Sequence, residues 1–143
     1  MKRSISLIPA VIIAAAVISG ICSTASAERY DHLYEAELAS GIFFEEAPFD
    51  SVRDSISAEF SADSDGIDAV YRYEDGNITV RKSLKSITAE NGETLVINGT
   101  TVCITISGNS AAAVWSKDGW TYSITTDASY RDRIPVIAEE IIR

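Results

Sequence analysis

Cysteine and histidine are almost missing from this chain. Its 143 residues include two cysteines, Cys22 and Cys103, and one histidine, His32. Cys22 falls in an apolar leader. The remainder therefore has a single cysteine and no internal disulfide, and its fold must rest on a hydrophobic core. Cys103 lies in the strand-like run Thr101-Val102-Cys103-Ile104-Thr105-Ile106. It reads as a small buried hydrophobe, with no Lys, Arg or His close in sequence to make it a reactive thiolate. A histidine-based hydrolytic centre would have to use His32, beside Asp31 and Glu35 on a solvated helix face. One histidine without a cysteine beside it is a poor transition-metal site. No serine occupies a G-x-S-x-G elbow, and the eight glycines stand singly at turns, so no phosphate-cradling loop is present. Neither a metal nor a cofactor is expected.

Basic residues are scarce too. Lys and Arg total 12 against 21 Asp and Glu, a net charge of −9. Neutralising phosphates needs a Lys/Arg surplus, so this balance excludes a nucleic-acid binder and a protein docked on anionic lipid headgroups. With 46% apolar and 23% charged residues, the chain is neither disordered nor fibrous.

What is present begins with an address. Lys2 and Arg3 precede an apolar run from Leu7 to Ile18, and Ala25-Ser26-Ala27 is a small-x-small cleavage site. Together they read as a secretory signal peptide over residues 1–27, leaving a single extracytoplasmic domain over 28–143. Two other readings are an uncleaved anchor, which would be the only membrane contact, and lipidation at Cys22, disfavoured by Ile21 before it. In each case the domain faces the outside, secreted or at the cell surface.

The spacing of Tyr30, Leu33, Tyr34, Glu37 and Leu38 predicts a helix from Tyr30 to Ser40, stopped by Gly41. Asp50 to Ser55 reads as one helical turn capped by Asp50. From Ser55 the period changes to two. Strands are expected around Ile56–Phe60, Ala69–Tyr73, Ile78–Val80, Leu95–Ile97, Val102–Ile106, Ala111–Trp115 and Trp120–Ile124, separated by Asp75-Gly76, Asn91-Gly92, Asn98-Gly99 and Asp118-Gly119 turns. A last helix runs from about Arg133 to Ile142, with Asp132 as N-cap, Pro135 in the first turn, and Ile134, Ile137, Ala138 and Ile141 as its apolar stripe. Glu139 and Glu140 lie off that stripe. The expected architecture is α+β: a curved, meandering antiparallel sheet of about six strands packed against an N-terminal and a C-terminal helix, its other face solvated by Thr, Ser, Lys and Arg.

The aromatics Tyr71, Tyr73, Trp115, Trp120 and Tyr122 fall on neighbouring strands. They are the candidates for lining a ligand or partner surface, with the core as the plainer alternative. Glu45, Glu46, Asp50 and Asp54 cluster around Pro48 and could supply an acid/base pair. Asp63-Ser64-Asp65-Gly66-Ile67-Asp68 partly imitates a calcium loop, but it lacks the terminal Glu and the flanking helices and reads as a polar turn.

Val114-Trp115-Ser116-Lys117-Asp118-Gly119-Trp120-Thr121-Tyr122-Ser123-Ile124, followed by a helix ending Ile137-Ala138-Glu139-Glu140-Ile141, resembles a family of extracytoplasmic domains of unknown function from Gram-positive bacteria. That family occurs in anti-sigma-factor-like proteins and is similar to lipoprotein-carrier folds. The upstream Val96-Ile97-Asn98-Gly99 also looks like its preceding hairpin, and the match covers only the C-terminal part of the chain. The resemblance implies a non-enzymatic role in sensing, binding or holding a partner, and it brings no catalytic residues. The expected function is thus a binding module for an unidentified protein or small apolar ligand. The alternatives are a small secreted hydrolase using the acids and a protease-inhibitor-like protein wedging Trp120 into a cleft.

Overall fold

A computed structural model describes residues 28–87 and 91–143. The proposed leader, residues 1–27, lies outside the described residues. The chain begins with β1 (Arg29–Tyr30) and α1 (Leu33–Ser40), passes through a 3-10 turn (Asp50–Val52), and then forms β2 (Ser57–Ala62), β3 (Gly66–Tyr73) and β4 (Gly76–Ser83). After a connection come β5 (Glu93–Ile97), β6 (Thr100–Ser107), β7 (Ser110–Lys117) and β8 (Trp120–Asp127). A second 3-10 segment (Ala128–Arg133) leads into α2 (Ile134–Ile142). The class is α+β, as the patterning indicates, with one antiparallel sheet.

That sheet has eight strands, not about six, in the order β1-β2-β3-β4-β8-β7-β6-β5. Seven of them correspond to the seven runs of period two, which a count of about six understates, and the eighth is β1. Tyr30 falls on helical spacing, yet it pairs with Phe60 in a strand too short for any period to register. The meander is also interrupted. After β4 the chain passes to the far edge of the sheet and returns strand by strand, so that β4 pairs with β8.

The hairpins follow the turn chemistry. Asn98-Gly99 and Asp118-Gly119 have positive φ at both positions (47° and 83°; 54° and 84°), as two-residue turns with matching twist require. The β3–β4 turn is shifted by one residue from expectation. Tyr73 pairs with Gly76, so the turn residues are Glu74 and Asp75, and neither has positive φ.

One face of the sheet carries the core. Ile67, Ala69 and Tyr71 of β3, Ile78 and Val80 of β4, Ala111, Ala113 and Trp115 of β7, Tyr122 and Ile124 of β8 and Val102 of β6 are buried there. Ala36 of α1, Ile42, Phe44 and Val52 of the following segment, and Ile134, Ile137, Ala138, Ile141 and Ile142 of α2 cover them in one cluster. Each fully buried Ile or Phe contributes about 1.5–3 kcal/mol. α2 starts one residue later than expected, with Arg133 at its N-cap and no side-chain cap. At its other end, Lys117 donates to the Ile142 carbonyl at 2.7 Å, which ties the last turn to β7.

The opposite face is not the solvated surface that the alternation suggests. On its central strands Asp68, Arg81, Ser83, Ala112, Val114, Thr121, Ser123 and Thr125 are also buried. Lys82, conversely, lies on the core face in register with Tyr122. Among the described residues no helix is long and apolar enough to cross a membrane.

Candidate ligand-binding site

An apolar pocket of about 330 Å³ opens between α1, the segment after it, and the sheet. Leu33 at the start of α1, Ala47, Pro48 and Phe49 from the loop, Val52 from the 3-10 turn, Phe60 of β2 and Tyr71 of β3 line it. Its volume lies at the lower end of the range typical of small-molecule sites. A dry cavity of ~150 Å³ already holds benzene.

Local sequence builds the pocket. Gly41 adopts φ +77° and closes α1, its N–H donating to the Glu37 carbonyl at 2.8 Å. The chain then reverses, and the Glu37 carboxylate accepts the Phe44 N–H at 2.7 Å. Ile42 and Phe44 turn inward while Phe43 points out. The Tyr71 hydroxyl donates to the Pro48 carbonyl at 3.2 Å and fastens the roof to the sheet.

The third support comes from α2. Glu140 Oε2 accepts the N–H groups of Phe49 and Asp50 at 2.8 and 3.0 Å, and Oε1 accepts that of Ser51 at 2.9 Å. These are the N-terminal amides of the 3-10 turn, which otherwise have no acceptor there. Burial pushes the Glu140 carboxyl up, but the Ser51 hydroxyl and the three amides outweigh it and hold the group at about 2. Phe49 stands at the pocket with 66% of its surface exposed. Because the Tyr71 hydroxyl is already committed to Pro48, the lining offers apolar contact and nothing that would act as acid, base or nucleophile.

Of the five aromatics singled out in the sequence, Tyr71 alone lines this pocket. Trp115 and Tyr122 are core: their rings stack at 5.6 Å with 11° between planes, and both are buried. Trp120 lies over the Lys82 ammonium, 4.6 Å from ring centroid to Nζ. Tyr73 packs against Tyr130 at 5.3 Å and under the Arg133 guanidinium at 4.8 Å. The five therefore divide among four environments and do not form one surface.

The acids around Pro48 likewise separate. Glu46 accepts Lys82 Nζ at 3.1 Å and the Tyr122 hydroxyl at 2.8 Å, while Lys82 also donates to the Phe43 carbonyl. Asp54 pairs with Arg133, whose hydrogen bond holds it at about 2. Asp50 pairs with Arg53. In the calcium-like stretch, Asp63 Oδ1 accepts the Asp65 and Gly66 amides, and Arg81 bridges Asp63 and Asp68 at 3.1 and 2.7 Å. Among the described residues, no three His, Cys, Asp or Glu side chains converge as metal donors.

Phe49, Val52, Phe60 and Glu140 escaped the sequence reading. Phe60 falls on an expected strand, and its place in the pocket lining comes from the loop packed against it. Glu140 carried no local signal, because its partners lie some ninety residues away.

No protein-family model, curated protein or solved structure matches the chain.

Proposed function

We propose that this chain is a secreted or cell-surface, non-enzymatic binding module whose pocket between α1 and the sheet takes a small apolar ligand. The observation that carries this reading is the pocket itself: seven lining residues without a free polar group, beside an exposed Phe49. The leader-like N-terminus supports an extracytoplasmic place. The likeness of the Val114–Ile124 segment to extracytoplasmic domains points the same way. The hydrolase and inhibitor readings draw less support, since Glu46, Asp50 and Asp54 each serve a different cation and Trp120 is seated on Lys82.

An uncharged fluorescent naphthylamine tests it. Saturable binding is expected, with the emission shifted to the blue, and Ala47→Trp, which fills the pocket, should abolish it. Binding that is absent, or that Ala47→Trp leaves intact, would overturn the reading. Export is tested separately, by N-terminal sequencing of protein recovered outside the cell; Glu28 is the expected first residue.

A further inference from the structure

The two edges of the sheet are built differently. One edge ends in β1, only two residues long and carrying Arg29, which leaves little backbone for another strand to pair with. The other ends in β5, Glu93-Thr94-Leu95-Val96-Ile97, and among the described residues no strand pairs with its outer side. Natural edges are usually blunted by lysine, proline, bulges or shortness. β5 has no lysine and no proline, its five residues pair with β6 in unbroken register, and Leu95 and Val96 are 38% and 66% exposed. Ile106 of β6 is exposed as well.

Charge says what fits this edge. The whole chain carries −9, so two copies repel each other over most of their surface. From Asn91 to Lys117, however, Glu93 and Lys117 are the only charged residues. Across β5, β6 and β7, therefore, this end of the sheet sets few like charges against each other when two acidic molecules approach. A basic peptide would find little here to attract it.

We infer that β5 pairs antiparallel with β5 of a second copy, about a two-fold axis through Leu95, to give a continuous sixteen-stranded sheet across two chains. The register follows from the pattern. Outward-facing backbone groups alternate along a strand, so a pairing must join residues of like parity. Centring on Leu95 does this with all five residues: Leu95 meets Leu95, Thr94 meets Val96, and Glu93 meets Ile97, so the two carboxylates never face each other. A five-residue ribbon buries less than the about 1,200 Å² of a standard interface, so the contact belongs to the weak, concentration-dependent class.

Sedimentation velocity over a wide concentration range tests this, with amide hydrogen exchange of β5 followed alongside. A reversible monomer–dimer equilibrium is expected, with alternate β5 amides gaining protection as concentration rises. Leu95→Lys places two ammonium groups opposite each other and should weaken association by about tenfold or more. Val96→Lys, at a more exposed position, is the second variant, and circular dichroism verifies that both fold. A chain that stays monomeric at every concentration overturns the inference, whether or not it accepts an extended peptide along β5. Association that folded variants leave unchanged also overturns it.

Discussion

The carboxylate of Glu140 accepts the backbone N–H of Asp50 at 3.0 Å, across ninety positions of sequence. A residue of the last helix thus serves as N-cap for a turn near the start of the domain, and that turn supplies Val52 to the pocket. Glu140→Ala leaves three amides and the Ser51 hydroxyl without this acceptor. It should cost about 1–2 kcal/mol, as cap deletions do, seen as a lower urea midpoint at unchanged slope. It should also weaken naphthylamine binding, because the pocket roof loses its tie to α2. Unchanged stability would mean that water satisfies these amides equally well.

The pH dependence should have two arms of opposite sign. Glu140 and Asp54 are held at about 2, below the ordinary carboxylate value, so their contribution is present above ~4 and is lost as pH falls through the range from 4 to 2. Asp68 behaves in reverse. It is buried and pushed up to about 6 against the attraction of Arg81, with Asp63 adding to the rise, and its Oδ1 has no hydrogen-bond partner. A group whose folded pKa is raised binds its proton more tightly when folded. Its contribution is therefore full below ~4 and is lost as pH rises through about 6. Thermal melts should show lower stability at pH 7 than at pH 5, and Asp68→Asn should flatten that decline. A decline that survives Asp68→Asn would assign it to another group.

Trp115 is 2% exposed and stacked on Tyr122, and its Nε1–H has no acceptor. Trp115→Ala should cost about 3–5 kcal/mol. Trp115→Phe removes the orphaned donor while keeping much of the ring, and its cost should stay below about 1.5 kcal/mol. Equal losses for the two in chemical denaturation would contradict the core assignment.

Gly66 opens β3 where the backbone of β4 comes close. A Cβ there would sit 2.6 Å from the Lys82 carbonyl and 2.8 Å from the Arg81 guanidinium carbon. The carbonyl belongs to the β3–β4 ladder and cannot move aside. Gly66→Ala should therefore destabilise by about 1–3 kcal/mol in thermal unfolding. Gly76→Ala should cost less, since its close neighbours are the movable side chains of Asp127 and Tyr130.

Much of this fold was readable in the chain. Periods of two over Ala69–Tyr73 and Trp120–Ile124, and paired positive-φ turn residues at Asn98-Gly99 and Asp118-Gly119, are local signals, and each corresponds to a strand or hairpin here. What escaped is non-local. Nothing near β4 says that its neighbour is β8 and not β5. Nothing near Glu140 says that its acceptors face Phe49, Asp50 and Ser51. The aromatics were readable as a set but not as a site: alternation puts Tyr71 and Tyr73 on one face, but the contacts that separate them come from Pro48, Tyr130 and Arg133. Lys82 is the sharpest case. A lysine in an alternating strand reads as solvent-facing, yet here it points to the core face because Glu46 and the Phe43 carbonyl wait there.

The most direct test is a methyl-resolved NMR titration of the isotopically labelled protein with the uncharged naphthylamine. The Leu33 and Val52 methyl resonances should shift saturably, while those of Val80 and Ile124, in the centre of the core, stay in place. Shifts scattered over the exposed apolar side chains, or none at Leu33 and Val52, would contradict a binding role for this pocket.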